Sequence, residues 1–169
     1  MTRGPGYVII KSSTPQAVAK EAATSVLESP LIQKHEKYTE HEVPNICVKM
    51  KDDFMKVVDH SILASLMDSK PVPKAPNDLF AGQFHETNAE PTKLKTAQKN
   101  QVYATIALTD LNPSNGWYTF YEDSHSRTSP LSKLVALDLK AGDAVVWRGD
   151  LVYIHSSGGG GVFLTLVFQ

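Results

Sequence analysis

The sequence lacks the features that mark secreted, membrane-spanning and nucleic-acid-binding proteins. It holds a single cysteine, Cys47, which excludes an intrachain disulfide and any zinc site built on paired cysteines. Lysine and arginine number 17 and aspartate and glutamate 18, a net charge of −1, so nothing attracts nucleic acid or an anionic membrane electrostatically. The first apolar run covers only residues 7–10, too short for a signal-peptide core, and no run approaches the ~20 residues of a membrane span. We therefore expect a cytoplasmic protein with neither a nucleic-acid nor a membrane partner.

The length predicts one domain. With 169 residues, 41% of them hydrophobic, the chain can build one ordinary core but not two. We expect a helical N-terminal part, residues 1–78, that packs on a β-rich core, residues 79–169. The sequence does not decide the oligomeric state, and a homodimer stays open.

Helical signals dominate the first half of the chain. Three hydroxyl residues precede Pro15, which suits a cap followed by proline at the first helical position, and Ser29-Pro30 should end that helix. Apolar residues at helical spacing predict a second helix over residues 52–68, with a short strand at 43–50 between the two helices. Three prolines within residues 69–78 prevent the second helix from continuing.

Short strands separated by turn residues fill the second half. The predicted strands cover residues 79–85, 101–109, 117–122, 134–139, 144–147, 151–155 and 162–168. Clusters of Asn, Asp, Gly and Pro separate them, and we interpret the four glycines at 158–161 as a flexible turn. Seven short strands in about ninety residues are typical of a sandwich or a jelly roll.

Alternation along the predicted strand at 117–122 divides its aromatic residues between two faces. Trp117, Thr119 and Tyr121 should share one face, and Tyr118 and Phe120 the other. One of these sets should line the interior of the barrel.

Four blocks in the β-rich half carry a resemblance to a known family. The blocks are ALTDLNPSNG at 107–116, Ser124-His125, AGDAVVW at 141–147 with His155 behind it, and FLTLVF at 163–168. In their order and spacing the chain resembles the phytanoyl-CoA dioxygenase family of iron and 2-oxoglutarate dependent oxygenases, most closely its fungal biosynthetic branch. The resemblance implies a mainly β fold with flanking N-terminal helices, which is a double-stranded β-helix of the jelly-roll, cupin-like type. It also places the helices outside the larger sheet.

The metal site that the resemblance implies is incomplete. Such an oxygenase holds Fe(II) with two histidines and a carboxylate, and the resemblance puts the first histidine at His85 and the distal one at His155. The carboxylate position is Thr87, whose neutral hydroxyl is a poor replacement for an anionic ligand. Glu86 should point away from His85 unless a bulge intervenes, and Glu90 could return from the following loop. If a metal is bound, His85 and His155 are its expected ligands.

The contacts that the family makes to its cosubstrate are also missing. The family pairs the distal carboxylate of 2-oxoglutarate with an arginine on the last strand, but no arginine or lysine follows His155. Thr165 offers only a hydroxyl there. Tyr118 stands where relatives have a small hydroxyl residue that assists this carboxylate, so its ring should fill the cosubstrate space.

These three losses predict an oxygenase fold that no longer runs oxygenase chemistry. We expect a biosynthetic enzyme that binds a small-molecule substrate and uses neither iron, 2-oxoglutarate nor another cofactor. Its reaction would be a cyclisation, pericyclic reaction, isomerisation or dehydration, promoted by holding a reactive conformer and donating a proton. His155 is the candidate catalytic acid or base and His85 its partner. The candidate substrate contacts are Glu86, Thr87, Tyr118, Trp147 and Thr165.

Two alternatives stay open. One is a true Fe(II)/2-oxoglutarate oxygenase with a reduced site of two histidines and water. The other is a non-catalytic partner of an active paralogue, whose sign would be an exposed apolar sheet edge together with a filled barrel.

Overall fold

The computed structural model describes residues 4–68, 71–88, 93–125 and 133–169. Three helices and three short strands come first along the chain, and the remaining strands follow them. The helices are α1 (Gln16–Glu28), α2 (Asn45–Val57) and α3 (His60–Leu66), with a short 3-10 helix at Pro113–Asn115. The strands are β1 (Tyr7–Ile10), β2 (Leu31–Lys34), β3 (Tyr38–His41), β4 (Asp78–Phe84), β5 (Leu94–Lys95), β6 (Val102–Ala107), β7 (Thr119–Tyr121), β8 (Leu134–Ala136), β9 (Ala144–Arg148), β10 (Tyr153–Ile154) and β11 (Val162–Phe168).

The strands form two antiparallel sheets that face each other. The larger sheet has the order β1-β9-β6-β11-β4-β3-β2 and the smaller one the order β5-β10-β7-β8. Sequence neighbours therefore lie mostly in opposite sheets, as the double-stranded β-helix requires. The predicted fold class, a mainly β jelly roll of the cupin-like type with flanking N-terminal helices, is confirmed.

Alternation along the central strands separates two hydrophobic cores. On β11, Val162, Leu164, Leu166 and Phe168 pack towards the helices. Phe163 and Val167 of the same strand face the smaller sheet, because successive side chains of a strand point to opposite sides. The helices thus cover the outer face of the larger sheet, as expected, and leave its inner face to the barrel interior.

Helix α1 ends where its sequence signals predict, whereas its start and the region after it differ from the prediction. Ser29 ends α1, but Pro15 is its N-cap and not its first helical residue, and none of the three hydroxyl residues before Pro15 caps the helix by a side-chain hydrogen bond. The strand predicted at 43–50 is wrong: Pro44 precedes α2, and its fixed φ suits the first turn of a helix. The single helix predicted at 52–68 is divided at Asp59, whose carboxylate accepts from the Ser61 N–H at 2.8 Å and starts α3. Among the described helices, none is both long enough and apolar enough to cross a membrane.

The N-terminal part also supplies strands that the sequence did not reveal. β1 pairs with β9 and β3 with β4, while β2 forms the edge of the larger sheet. The described residues before β4 are therefore not only a helical cover but also contribute strands to the larger sheet. β1, β2 and β3 lie among helical signals and outside the blocks of the resemblance, so neither the residue pattern nor the family order marked them, and the two-residue β5 was missed as well.

The four-glycine turn at 158–161 is packed between two backbone segments. A Cβ atom at Gly158 would collide with the Ser114 carbonyl, and one at Gly159 with the Glu86 N–H. The Gly160 N–H also donates to the Phe84 carbonyl at 2.7 Å. The prediction of a flexible turn is therefore wrong, since these glycines allow a close backbone approach instead.

Candidate functional site

The space between the two sheets is an aromatic cavity of about 170 Å³. An apolar protein cavity of about 150 Å³ accommodates benzene, so this one has room for a single ring or for one end of a larger molecule. Among the described residues, twelve side chains line it; nine are aromatic, and the others are Ala97, Thr105 and Thr165. None of these twelve is charged. The cavity therefore suits an uncharged, mainly apolar group.

Trp117 and Tyr118 both line this cavity, which differs from the predicted alternation. Strand β7 begins only at Thr119, so the period of two does not extend back to Trp117. Phe120 belongs to the same inner core, whereas Thr119 and Tyr121 are half-buried. The position predicted for Tyr118, inside the barrel, is confirmed.

The cavity has one small polar patch, made by Trp147, Thr105 and Thr165. The Trp147 Nε1–H donates to Thr105 Oγ1 at 3.1 Å, and the two threonine hydroxyls lie 3.1 Å apart. Only one of the two hydroxyl hydrogens is needed for the bond between the threonines. The other is free for a bound molecule or a backbone carbonyl. Trp147 and Thr165, both predicted to contact substrate, line the cavity.

Phenol groups supply further hydrogen-bond donors. Tyr38, Tyr118 and Tyr153 line the cavity, and their hydroxyls have no hydrogen-bond partner in the described part of the chain. Burial raises the pKa of Tyr38 and of Tyr153 to about 12, and that of Tyr118 well above its ordinary value. All three phenols therefore keep their protons at neutral pH and can donate to an oxygen of a bound molecule.

His155 follows β10 and does not line the cavity itself, but its ring lies against two of these tyrosines, which do. Its ring centroid is 5.3 Å from that of Tyr118 and 5.7 Å from that of Tyr153, and the ring planes are nearly parallel or tilted. Burial lowers the pKa of His155 to about 4, Glu36 opposes this shift, and nearby lysines, Lys95 first, add to it. The imidazole is thus neutral at neutral pH, which makes it a hydrogen-bonding group or a base, not an acid that starts protonated.

His85 is not joined to His155. Its Nε2 lies 3.0 Å from the carbonyl oxygen of His35. A carbonyl only accepts, so Nε2 must carry the hydrogen in this bond. No hydrogen bond or ring contact links the two histidines among the described residues. The prediction that they act as a pair therefore has no geometric support.

Lys37 is a site residue that sequence reasoning missed. Its side chain is only 2% exposed. The ammonium donates to the carbonyl oxygens of His85, Ser156 and Gly158 at 3.1, 2.5 and 2.6 Å. Burial lowers the pKa of Lys37, whereas three oxygens that can only accept favour its protonated form. The ammonium thus joins the segment around His85 to the segment behind His155.

Thr87 and Glu86 lie beside this ammonium and away from the cavity lining. The Thr87 Oγ1 is 3.4 Å from both the Lys37 Nζ and the Ser156 carbonyl oxygen. Glu86 is exposed. Neither residue lines the cavity, so the structure does not support the predicted contacts of Glu86 and Thr87 with substrate. Glu90, the other carboxylate considered, lies outside the described residues.

These residues do not fit an Fe(II) site. In the described ranges no group of three His, Cys, Asp or Glu side chains is arranged to hold a metal ion. The His85 Nε2 already donates to the His35 carbonyl, Thr87 brings no charge, and the Lys37 ammonium lies 3.4 Å from the Thr87 hydroxyl. Arg148, at the end of β9, is held by ion pairs with Asp68 and Asp150. It is therefore not free to bind the carboxylate of 2-oxoglutarate.

Comparison with known proteins identifies the fold and not the family. No family model matches the sequence, and no curated protein matches it. The resemblance to the phytanoyl-CoA dioxygenase family and its fungal branch is therefore not confirmed.

Similar solved structures include proteins that bind or depend on 2-oxoglutarate. HygX from Streptomyces hygroscopicus, with nickel and 2-oxoglutarate bound, is 11% identical with a TM-score of 0.68, over 98% of this chain and 83% of HygX. The α-ketoglutarate dependent epimerase SnoN of nogalamycin biosynthesis is 16% identical with a TM-score of 0.64, over 99% of this chain and 78% of SnoN. The carbocyclase SnoK of the same biosynthesis is 17% identical with a TM-score of 0.61, over 98% of this chain and 80% of SnoK.

Proposed function

We propose that this protein is a small-molecule biosynthetic enzyme that uses its aromatic cavity without iron or 2-oxoglutarate. The reaction would be a cyclisation, pericyclic reaction, isomerisation or dehydration. The observation that carries the proposal is the combination of an open aromatic cavity beside His155 with a donor set that does not fit a metal. Similar folds belong to a carbocyclase and an epimerase, which supports cyclisation or isomerisation by analogy of fold alone. Both of those enzymes are α-ketoglutarate dependent, so the independence of metal is argued only from the residues of this chain.

The cavity favours a neutral substrate with at least one ring and one oxygen. Nine aromatic walls would stack on the ring and restrict its conformers. The phenols of Tyr38, Tyr118 and Tyr153 would donate to the oxygen, because their raised pKa values keep them protonated. A charged group would lose its hydration without gaining a counter-charge there.

His155 and Tyr118 would divide the proton-transfer work. The neutral imidazole of His155 can accept a proton from the substrate, and the Tyr118 phenol, stacked beside it at 5.3 Å, can donate a hydrogen bond to the oxygen on which charge develops. Such a positioned pair contributes on the order of 10²–10⁴-fold to a rate. This assignment replaces His85 with Tyr118 as the partner of His155.

Binding of simple probes tests the cavity independently of the natural substrate. We expect benzaldehyde to bind in the presence of a chelator and to quench tryptophan fluorescence, because Trp117 and Trp147 line the cavity. Benzoate, which has the same ring and a negative charge, should bind at least tenfold more weakly. Tyr118→Phe should weaken benzaldehyde binding and leave benzene binding unchanged.

Three results would contradict the proposal. The first is equal affinity for benzaldehyde and benzoate. The second is benzaldehyde binding that requires a divalent metal ion. The third is a His155→Ala variant that supports product formation in cells as well as the wild type does.

A non-catalytic partner remains a second candidate, because one of its two expected signs is present. Leu31 and Ile32 of the edge strand β2 are 68% and 55% exposed, an apolar edge of the kind that pairs with another chain. The barrel, however, is not filled. If this candidate is right, Leu31→Lys abolishes association with the paralogue while His155→Ala leaves pathway flux unchanged.

A further inference from the structure

One buried charge has no part in the proposed reaction. The Lys37 ammonium is surrounded by four oxygens, which are the carbonyls of His85, Ser156 and Gly158 and the hydroxyl of Thr87. An ammonium has three N–H donors, so every donor is used and one is shared. A buried lysine is costly unless it is paired or fully hydrogen-bonded, and among the described residues this one has hydrogen bonds but no counter-charge.

The position of this ammonium matters as much as its bonds. It bridges the segment 85–87 and the segment 156–158, which contain or adjoin the three positions where the resemblance expects metal ligands. Direct bonds also join these segments: the Thr87 N–H donates to the Ser157 carbonyl at 3.1 Å, and the Thr87 Oγ1 lies 3.4 Å from the Ser156 carbonyl oxygen. Beside the segments, the Gly160 N–H donates to the Phe84 carbonyl at 2.7 Å and the Phe84 N–H to the Gly161 carbonyl at 2.8 Å. The lysine adds three hydrogen bonds to carbonyl oxygens of both segments.

We propose that the Lys37 ammonium takes the place of a metal ion between these two segments. It holds the segments together and prevents a divalent metal ion from binding in the space between them. The inference rests on the proposed function in one respect, because it assumes that the site works without a metal ion. A cation surrounded by oxygens draws the carbonyls together as a metal ion would. A divalent ion placed beside it would meet a like charge that water screens poorly.

Thr87 fits the same explanation. Its hydroxyl lies 3.4 Å from the Lys37 Nζ, so a carboxylate at this position would form an ion pair with the lysine. Restoring the missing acid alone should therefore not restore metal binding. The lysine charge must be removed as well.

Titration with Co²⁺ alone, followed by calorimetry and visible absorbance, tests the exclusion of metal. The variants are Thr87→Asp, the double variant Lys37→Gln/Thr87→Asp, and the control Lys95→Gln/Thr87→Asp. A glutamine in place of Lys37 would keep N–H donors for the carbonyls, which protects folding, while removing the charge. Lys95 is a matched control because it is also near His155 but pairs with Glu36 at 2.9 Å.

We expect Lys37→Gln/Thr87→Asp to bind Co²⁺ at least tenfold more tightly than Thr87→Asp, and to lose that binding when His155→Ala is added. The control double variant should behave like Thr87→Asp. Equal affinity of Thr87→Asp and Lys37→Gln/Thr87→Asp, including no detectable binding by either, overturns the inference. Wild-type protein that binds one Co²⁺ per chain through His155 would instead overturn the metal independence in the proposed function.

Amide hydrogen exchange tests the second part of the inference, the tie between the segments. Lys37→Met removes all the donors, so the amides of Thr87 and Gly160 should exchange at least tenfold faster, while amides of α1 stay unchanged. Lys37→Gln should have a smaller effect. Unchanged exchange of Thr87 and Gly160 in Lys37→Met would show that the ammonium does not hold the segments together.

Discussion

The two faces of the larger sheet bury cores of different composition. Among the described residues, the outer core beneath the helices has two aromatic side chains, Phe54 and Phe168, out of twenty-one. The inner core has eight out of fifteen. The cavity lies in this aromatic-rich inner core, where the rings stack or meet edge to face. The same strands therefore stabilise the fold on one face and form a cavity on the other.

The largest expected effect is a loss of stability from a substitution that disrupts the outer core and leaves the inner core intact. Leu164 is completely buried on the helix side of β11, so Leu164→Ala should lower the free energy of unfolding by about 3 kcal/mol. The benzaldehyde affinity of the folded fraction should not change. Urea denaturation and a fluorescence titration measure the two quantities, and a changed affinity would contradict the separation of the two faces.

The next largest effect is a pH-dependent loss of stability that is caused by His155, beside the inner core. Because burial lowers the pKa of His155 to about 4, against about 6.5 in an unfolded chain, the unfolded state binds more protons between these values. The free energy of unfolding should therefore decrease as the pH falls from about 6.5 towards 4. The loss by pH 4.5 should be on the order of 2 kcal/mol, a value reduced to allow for solvent screening of this partly exposed ring. His155→Gln should flatten this part of the pH profile. An NMR titration of the His155 ring that gives an ordinary pKa would refute the assignment.

A smaller effect tests the polar patch inside the cavity. Thr105→Val would leave the buried Trp147 Nε1–H without its acceptor, which should lower the free energy of unfolding by about 1–2 kcal/mol. Thr165→Val is the matched control, since it removes only the bond between the threonines and should have a smaller effect. Equal losses for the two variants would mean that the indole bond contributes nothing.

The smallest effect on stability belongs to Tyr118→Phe. Its hydroxyl has no hydrogen-bond partner in the described part of the chain, so its removal should change the free energy of unfolding by less than about 0.5 kcal/mol. Benzaldehyde binding should nevertheless weaken. A large loss of stability would show that the phenol serves the fold and not a ligand.

The sequence predicted most of the β-rich half, where turn residues separate the strands and the resemblance supplies their order. It predicted β11 at its observed bounds, and the resemblance placed Tyr118 and Trp147 beside the barrel interior, which they line. It failed at β1, β2 and β3, which lie among helical signals and outside the resemblance. Their length is not the reason, because β7, β8 and β10 are shorter and were predicted.

Lys37 was missed for a different physical reason. In the sequence it lies in a polar segment typical of a solvated surface. Its burial depends on carbonyl oxygens of His85, Ser156 and Gly158, which are 48, 119 and 121 residues away. The resemblance likewise suggested that His85 and His155 act as a pair. The His85 ring instead donates to the carbonyl of His35, which belongs to a segment that the resemblance does not cover.

Metal analysis of the protein, purified without chelator and then incubated with Fe(II) and 2-oxoglutarate, tests the central claim most directly. The account predicts no stoichiometric iron, an iron content that is the same in wild type and His155→Ala, and a melting temperature that chelator does not change. One iron ion per chain that disappears in His155→Ala would contradict it.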